Sequence, residues 1–270
     1  MSQETTPDRA DLAAPAQHYT FGDGDVAALR LRLLAEVYAP SSAALLATAA
    51  PPPGGAIDAG CGPGHTTALV QATLGPAWMI GLDRSEKLVA AARASLPALR
   101  FEVHDVTAVP YPTAPGGMLY SRFLLTHLPD PVAALRAFGA ALVPGGVVVL
   151  EETAALTSEH PAFRRYYAHV EALQAHYGQR MHVGADLAEL ARAAGLRVER
   201  AGVLRLELPA AKMARLHALN LMTWGADAFA RAHFDGAELA ALALTLARVA
   251  DGEEEAPAVE SGMGQAVLRA

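Results

Sequence analysis

The sequence of 270 residues is short of several things, and each shortage excludes something. It has one cysteine, Cys61, so no disulfide forms within the chain, and a reducing compartment, the cytoplasm, is expected. Lysine is nearly absent: Lys87 and Lys212 leave arginine to supply the other 19 of 21 basic residues. Against them stand 28 acids, for a net charge of -7, and no basic block is present. Tight binding to nucleic acid rests on neutralising phosphates, so DNA and RNA are not expected partners. No run reaches about 18 apolar residues without charge, so no membrane span is expected. The first twenty residues carry acids where a signal peptide needs a basic start and an apolar run. Aromatic residues are 6% of the chain, yet 52% is hydrophobic, enough to enclose a core and exclude a disordered chain.

What is present is organised in three stretches. Residues 1–55 read as an N-terminal arm followed by helices. Val26, Leu29, Leu33, Leu34 and Val37 recur at helical spacing, Pro40 is expected to end that helix, and Ser41 or Ser42 to cap a second. From Ala56 to Leu150 short apolar runs alternate with helical segments. AIDA (56–59), WMIGLD (78–83), FEVHDV (101–106), MLYSRF (118–123) and VVVLEE (147–152) are the expected strands. Strands alternating with helices at this spacing imply an α/β fold: a doubly wound, mostly parallel sheet covered on both faces. Beyond Glu152 the pattern places helical insertions at about 155–195 and 209–256. Strands are expected near Arg197–Leu208 and Ala258–Leu268, completing one domain over 56–270.

The chemistry lies where the first strand becomes a helix, in Asp58-Ala59-Gly60-Cys61-Gly62-Pro63-Gly64-His65. Glycines there let the backbone turn sharply and approach a ligand more closely than side chains permit. The helix that follows offers unpaired N–H groups. Two acids close the next two strands. Asp83, 19 positions after Gly64, can accept both hydroxyls of a ribose, and Asp105 can accept from an adenine amino group. In open parallel sheets ligands lie outside the carboxyl ends of the strands, so these elements converge on one crevice. A dinucleotide-binding fingerprint needs glycine at position 65, where His65 stands, and leaves Asp58 and Asp105 without a role. A nicotinamide oxidoreductase is therefore the weaker alternative.

Asp58-x-Gly60-x-Gly62-x-Gly64, Gly81-Leu82-Asp83-x-Ser85 and His104-Asp105-Val106 resemble the cofactor motifs of class I methyltransferases that use S-adenosylmethionine. YSRFLLTHLPDP (120–131) is similar to the family's segment after its fourth strand, and Leu142-x-Pro144-Gly145-Gly146 to its turn before the fifth. The resemblance runs from about Ala56 to Glu152. It implies a seven-stranded Rossmann-like sheet whose last strand is antiparallel. It further implies a cofactor set of Asp58, Ala59, Gly60, Gly62 and Gly64 around the methionine part and Asp83 with Arg84 at the ribose. His104, Asp105 and Val106 stand at the adenine, Ser121 and Arg122 at the amino acid end, and Tyr19 in the covering arm. Arg122 either neutralises the cofactor carboxylate or pairs with Glu151.

Methyl transfer is an in-line displacement, and holding the reactants together supplies much of its acceleration. An acidic acceptor needs little further help, whereas an alcohol needs a base. His127, just past the fourth strand, and Glu151 and Glu152 at the end of the fifth are the candidates. One glutamate is expected to face the crevice and the other the surface, since strand side chains alternate. A histidine that only fixes its loop is the competing reading of His127. The remaining histidines show no metal-ligand spacing with a carboxylate partner, so no metal is expected. Phe163, Tyr166 and Tyr167 read as a helix packing face.

The acceptor class narrows by exclusion. Tyr120-Ser121-Arg122-Phe123 is not the Asn-Pro-Pro-aromatic motif of enzymes that methylate adenine or glutamine nitrogen. Cys61 lies in the cofactor turn with no second cysteine to attack a pyrimidine. A small molecule, or a peptide, remains. Met213, Leu216, Leu219, Met222 and Trp224 are expected to roof an apolar acceptor as a lid. A homodimer interface is the other use for those helices, and a cofactor-binding protein without turnover the other class of function.

Overall fold

The computed structural model describes residues 25–51 and 53–270. Tyr19 therefore lies outside the described residues. The chain opens with α1 (Asp25–Thr48) and then alternates: β1 (Ala56–Ala59), α2 (His65–Leu74), β2 (Met79–Asp83), α3 (Glu86–Ser95) and β3 (Arg100–Val103). β4 (Gly116–Arg122), α4 (Pro131–Ala140) and β5 (Leu142–Thr157) follow, and then α5 (Pro161–His176), α6 (Leu187–Ala193) and β6 (Arg197–Leu208). Three helices, α7 (Ala210–Trp224), α8 (Ala228–His233) and α9 (Gly236–Asp251), lead into β7 (Val259–Arg269).

The seven strands lie in the order β3-β2-β1-β4-β5-β7-β6. β1 to β5 pair in parallel, and β7 runs antiparallel to both β5 and β6. The order reverses between β1 and β4, which creates the crevice at their carboxyl ends. Every residue of β1 and β4 is buried, as both faces of a central parallel strand must be. Alternation divides the core. Ile57, Leu119, Val148 and Leu150 pack with Leu135, Phe138 and Leu187 on one side. Met118, Tyr120, Val147 and Val149 pack with Leu46 and Val70 on the other. A separate apolar cluster, including Phe163, Tyr166, Met213, Leu216, Trp224 and Leu246, joins α5, α7 and α9.

Local chemistry sets the helix starts. Ser85 caps α3 by accepting from the Leu88 amide at 3.3 Å. Asp130 caps α4 through the Ala133 amide at 2.9 Å, with Pro131 in the first turn. Several boundaries differ from the sequence reading. Pro40 does not end a helix: α1 runs through it, with the Ser41 hydroxyl donating to the Tyr38 carbonyl at 2.9 Å in that turn. Tyr38, Leu45 and Leu46, buried on either side of the proline, offset the lost backbone bond. β3 stops at Val103, which leaves Asp105 and Val106 in the following loop. β5 continues to Thr157 because β7 pairs with it as far as Glu260. The short α8, capped by Asp227, had no periodic signal long enough to read.

Candidate active site

Three left-handed glycines shape the turn after β1: Gly60 (φ 75°), Gly62 (φ 52°) and Gly64 (φ 89°). They serve different ends. A β-carbon on Gly64 would fall 2.9 Å from Leu96 and Phe101, so this glycine lets the turn seat against α3 and β3. A β-carbon on Gly62 would meet only Leu31 at 3.7 Å, because this glycine borders a cavity. The turn is pinned from β2. The Gly60 and Cys61 amides donate to the Leu82 carbonyl at 2.8 and 3.0 Å, and the Gly62 amide to Asp83 Oδ2 at 2.9 Å. Asp83 Oδ1 accepts from the Ser85 amide at 2.9 Å. Burial pushes the Asp83 carboxyl above its ordinary range despite these amides.

The cavity of about 880 Å³ runs from this turn across the crevice to the helices. Gly60, Gly62, Asp83, Arg84, His104, Asp105 and Val106 line its near end. Asp105 is exposed, and its Oδ1 accepts from the Thr107 amide at 2.9 Å and hydroxyl at 2.7 Å. Those bonds hold its carboxyl below the usual value. The Val106 carbonyl accepts from the Tyr111 hydroxyl at 2.6 Å, fixing the loop. His104 Nε2 lies 3.0 Å from the Ala108 carbonyl in the same loop.

Asp58, Ala59 and Gly64 sit behind the wall rather than in it. Asp58 Oδ2 accepts from the hydroxyls of Thr66 at 2.7 Å and Thr67 at 2.6 Å, and Thr66 does reach the cavity. Asp58 Oδ1 is buried with no hydrogen-bond partner among the described residues, and burial raises this carboxyl to about 6. Ser121 is also behind the wall, its hydroxyl donating to the Ala59 carbonyl at 3.0 Å and tying β4 to β1.

Arg122 lines the middle of the cavity, 9% exposed. Its Nη1 donates to the Ser42 hydroxyl at 2.9 Å, which is why continuing α1 past Pro40 matters to the site. It does not pair with Glu151. That carboxylate accepts instead from the Tyr120 hydroxyl at 2.5 Å and Gln265 Nε2 at 2.9 Å. Neither glutamate behaves as the alternation argument expects, since Glu151 and Glu152 are both fully buried and neither lines the cavity. β5 is covered on both faces at that level, so neither side of it meets solvent. Glu152 Oε1 accepts from the Leu124 and Leu125 amides at 2.7 and 2.6 Å, anchoring the turn after β4. Burial raises the Glu152 carboxyl to about 8.

His127, in the short helical turn Leu125–His127, lines the cavity with Nδ1 3.4 Å from Gln179 Oε1. Burial lowers its pKa to about 4, so the imidazole is neutral at physiological pH. At the far end stand Tyr38, Tyr166, Met213, Leu216, His217 and Asn220. Met213 and Leu216 line the cavity as the lid reading expects, whereas Leu219 and the buried Trp224 do not reach it and Met222, one helix face away, is 68% exposed. Sequence reasoning missed Arg30, Tyr38, His217 and Asn220, all of which line the cavity. A signal existed for two of them: His217 and Asn220 are polar residues three apart on the helical stripe that carries Met213 and Leu216.

The donor set fits S-adenosylmethionine. A carboxylate beside a glycine turn suits a ribose diol, and the Asp105–Val106 loop suits a heteroaromatic edge. Buried Arg122 suits a carboxylate. The orphaned oxygen of Asp58 and the Thr66 hydroxyl that it holds suit an ammonium group nearby. 

Comparison with known proteins agrees. The family model described as a methyltransferase domain matches residues 30–201. A trans-aconitate 2-methyltransferase of Methylobacterium radiotolerans is 41% identical over 96 residues, 36% of this chain and 36% of that protein. One from Rhizobium meliloti is 33% identical over 126 residues, 42% of this chain and 49% of that protein. These matches thus span about a third to a half of the curated relatives' length. Among solved structures, a putative methyltransferase from Bacillus halodurans aligns over 85% of this chain and 97% of its own. Its TM-score is 0.58 at 14% identity, a likeness of fold. The reversed strand order, the pinned glycine turn and the family match across 30–201 place this chain among the class I methyltransferases that depend on S-adenosylmethionine.

Proposed function

We propose that the protein transfers the methyl group of S-adenosylmethionine to an O, N or C nucleophile of a small organic molecule with a largely apolar body. The observation that carries this reading is the continuity of one cavity. The motif residues form one end of it, and Tyr166, Met213 and Leu216 form the other. When bound, the cofactor supplies an electrophilic methyl group. The chain's own residues bind and orient. Asp83 holds the ribose, the Asp105–Val106 loop the adenine edge, and Arg122 the carboxylate. Ala59, Gly60, Gly62 and Gly64 provide the turn, and Asp58 acts through Thr66. Arg84 and His104 border the near end.

The helical wall excludes water from the acceptor end, which strengthens polar contacts there. His127 is the group that takes a proton from the acceptor, at Nε2, while Gln179 orients Nδ1. Glu151 and Glu152 serve the architecture instead. An acceptor panel that includes trans-aconitate, the substrate in the relatives' name, tests the reading. Methylated product and S-adenosylhomocysteine in equal amounts support it. Tight cofactor binding with no product from any acceptor would favour a binding protein. His127→Ala with unchanged turnover across pH 6 to 9 would leave catalysis to proximity alone.

A further inference from the structure

Phe123 is, among the described residues, the one non-glycine with a left-handed backbone, at φ 55°. A bulky residue avoids that conformation, and it persists only where the surroundings hold it. Backbone amides hold it here. The Phe123 amide donates to the Glu151 carbonyl at 2.9 Å, and the Leu124 and Leu125 amides that follow donate to Glu152 Oε1.

The strain has a visible result. Side chains alternate along an extended strand, so Arg122 and Phe123 would take opposite sides if β4 simply continued. Instead both line the cavity, and the Arg122 guanidinium carbon lies over the Phe123 ring, 5.7 Å from its centroid. That distance is within cation–π range. Helix α1 completes the seat with Tyr38 and Ser42, which are four positions apart and so share one helix face. Ser42 accepts from Arg122 Nη1 at 2.9 Å. Tyr38 packs edge-on against Phe123, with centroids 5.1 Å and planes 70° apart, and its hydroxyl lies 3.1 Å from that of Ser261. Ser42 is the one hydrogen-bond partner of Arg122 among the described residues, and no Arg122 nitrogen is buried without a partner. The remaining donors are thus open to the cavity that Arg122 lines.

We propose that Phe123 is a positioning residue for Arg122. Its left-handed backbone brings the ring to the guanidinium, and the ring and Ser42 together hold that group ready for the carboxylate of S-adenosylmethionine. This rests on the methyl-transfer reading above, in which Arg122 takes that carboxylate. A leucine at this position keeps an apolar wall but offers no π face, so the guanidinium regains freedom that binding must then remove.

The test is a double-mutant cycle on the full chain, read by calorimetric titration of S-adenosylhomocysteine, which carries the same carboxylate. Phe123→Leu is expected to weaken binding about three- to tenfold, the worth of a partly desolvated cation–π contact, and Phe123→Tyr to retain it. With Arg122→Met already present, Phe123→Leu is expected to add less than about twofold, because the ring acts through the guanidinium. A ring that only packs the wall would move both backgrounds alike. Phe123→Gly, which removes the ring and suits the left-handed backbone, gives a second deletion with the same expected loss, and melting curves show which variants are folded. Unchanged affinity in a folded ring deletion, an equal loss in Phe123→Tyr, or equal losses in the two backgrounds would overturn the proposal. Arg122→Met without effect would instead overturn the assignment of Arg122 to the carboxylate. Failure of the unaltered chain to bind would overturn the cofactor reading beneath both.

Discussion

Replacing Glu152 by glutamine should stabilise the protein in mild alkali and leave it unimproved in acid. Glu152 is fully buried, one oxygen accepts two backbone amides, and the other has no partner among the described residues. Burial raises its carboxyl from 4.5 to about 8, outweighing the Leu125 and Leu124 amides that act to lower it. The sign of the pH dependence follows. Below pH 4.5 folded and unfolded chains both carry the proton, so Glu152 contributes no penalty. Between 4.5 and about 8 only the unfolded chain ionises, and stability falls as the pH rises. Above that both are ionised, and the loss is complete. At about 1.4 kcal/mol per pH unit the interval bounds this loss at about 4–5 kcal/mol. Glutamine keeps the accepting oxygen for Leu124 and Leu125 and cannot ionise, but its buried NH₂ lacks an acceptor, at a cost of about 1–3 kcal/mol. The net gain at pH 8.5 is therefore about 2 kcal/mol, and at pH 5 the variant is equal or slightly worse. Urea unfolding across pH 5 to 9 should give stability curves that cross. Parallel curves, or a variant weaker at every pH, would refute the reasoning. They would mean that Glu152 is ionised and well served in the fold at neutral pH.

Three other outcomes are expected. Gly264→Ala places a β-carbon 2.1 Å from the Gly184 carbonyl oxygen, where β7 meets backbone with little room to move. It should cost about 1–3 kcal/mol in urea unfolding, and an unchanged midpoint would show that this contact relaxes freely. Arg122→Met should weaken S-adenosylhomocysteine binding about tenfold or more through the lost charged hydrogen bond. A decarboxylated cofactor analogue should be insensitive to the change; equal losses for both ligands would assign Arg122 to the Ser42 contact alone. Asp130→Ala removes the α4 cap and should cost about 1 kcal/mol without altering cofactor affinity, as paired melting and binding measurements would show.

The end of the cavity built from the glycine turn and the two acids was legible because its chemistry is local. Gly60, Gly62 and Gly64 announce a turn by composition, and Asp83 and Asp105 mark the ends of two apolar runs. The sheet was legible for the same reason, since each buried strand is a short apolar run bounded by turn residues. Glu151 and Glu152 were misplaced because alternation along a strand tells which face a side chain takes, not whether that face is covered. At their level Tyr120 and Gln265 close over Glu151 and the Leu124–Leu125 turn over Glu152, a fact of tertiary packing. Pro40 misled through a local rule that the burial of Tyr38 and Leu46 overrides. The helical end of the cavity was the least legible. Tyr166 and His217 are 51 positions apart and meet only because α5 and α7 pack together. An aromatic on an apolar helical stripe reads as core, and Tyr166 is core on one side and cavity wall on the other.

The central claim is that the turn after β1 and the carboxylate closing β2 form one S-adenosylmethionine site. Calorimetric titration of S-adenosylmethionine into the full chain and its Asp83→Ala variant tests this most directly. One molecule should bind per chain, and the variant should lose about 2–3 kcal/mol, the net worth of two hydrogen bonds. That is a weakening of about 30- to 150-fold. Because Asp83 also holds the Gly62 and Ser85 amides, melting should be recorded alongside to show that the variant remains folded. No binding by the unaltered chain, or the same affinity in a folded Asp83→Ala variant, would contradict the account.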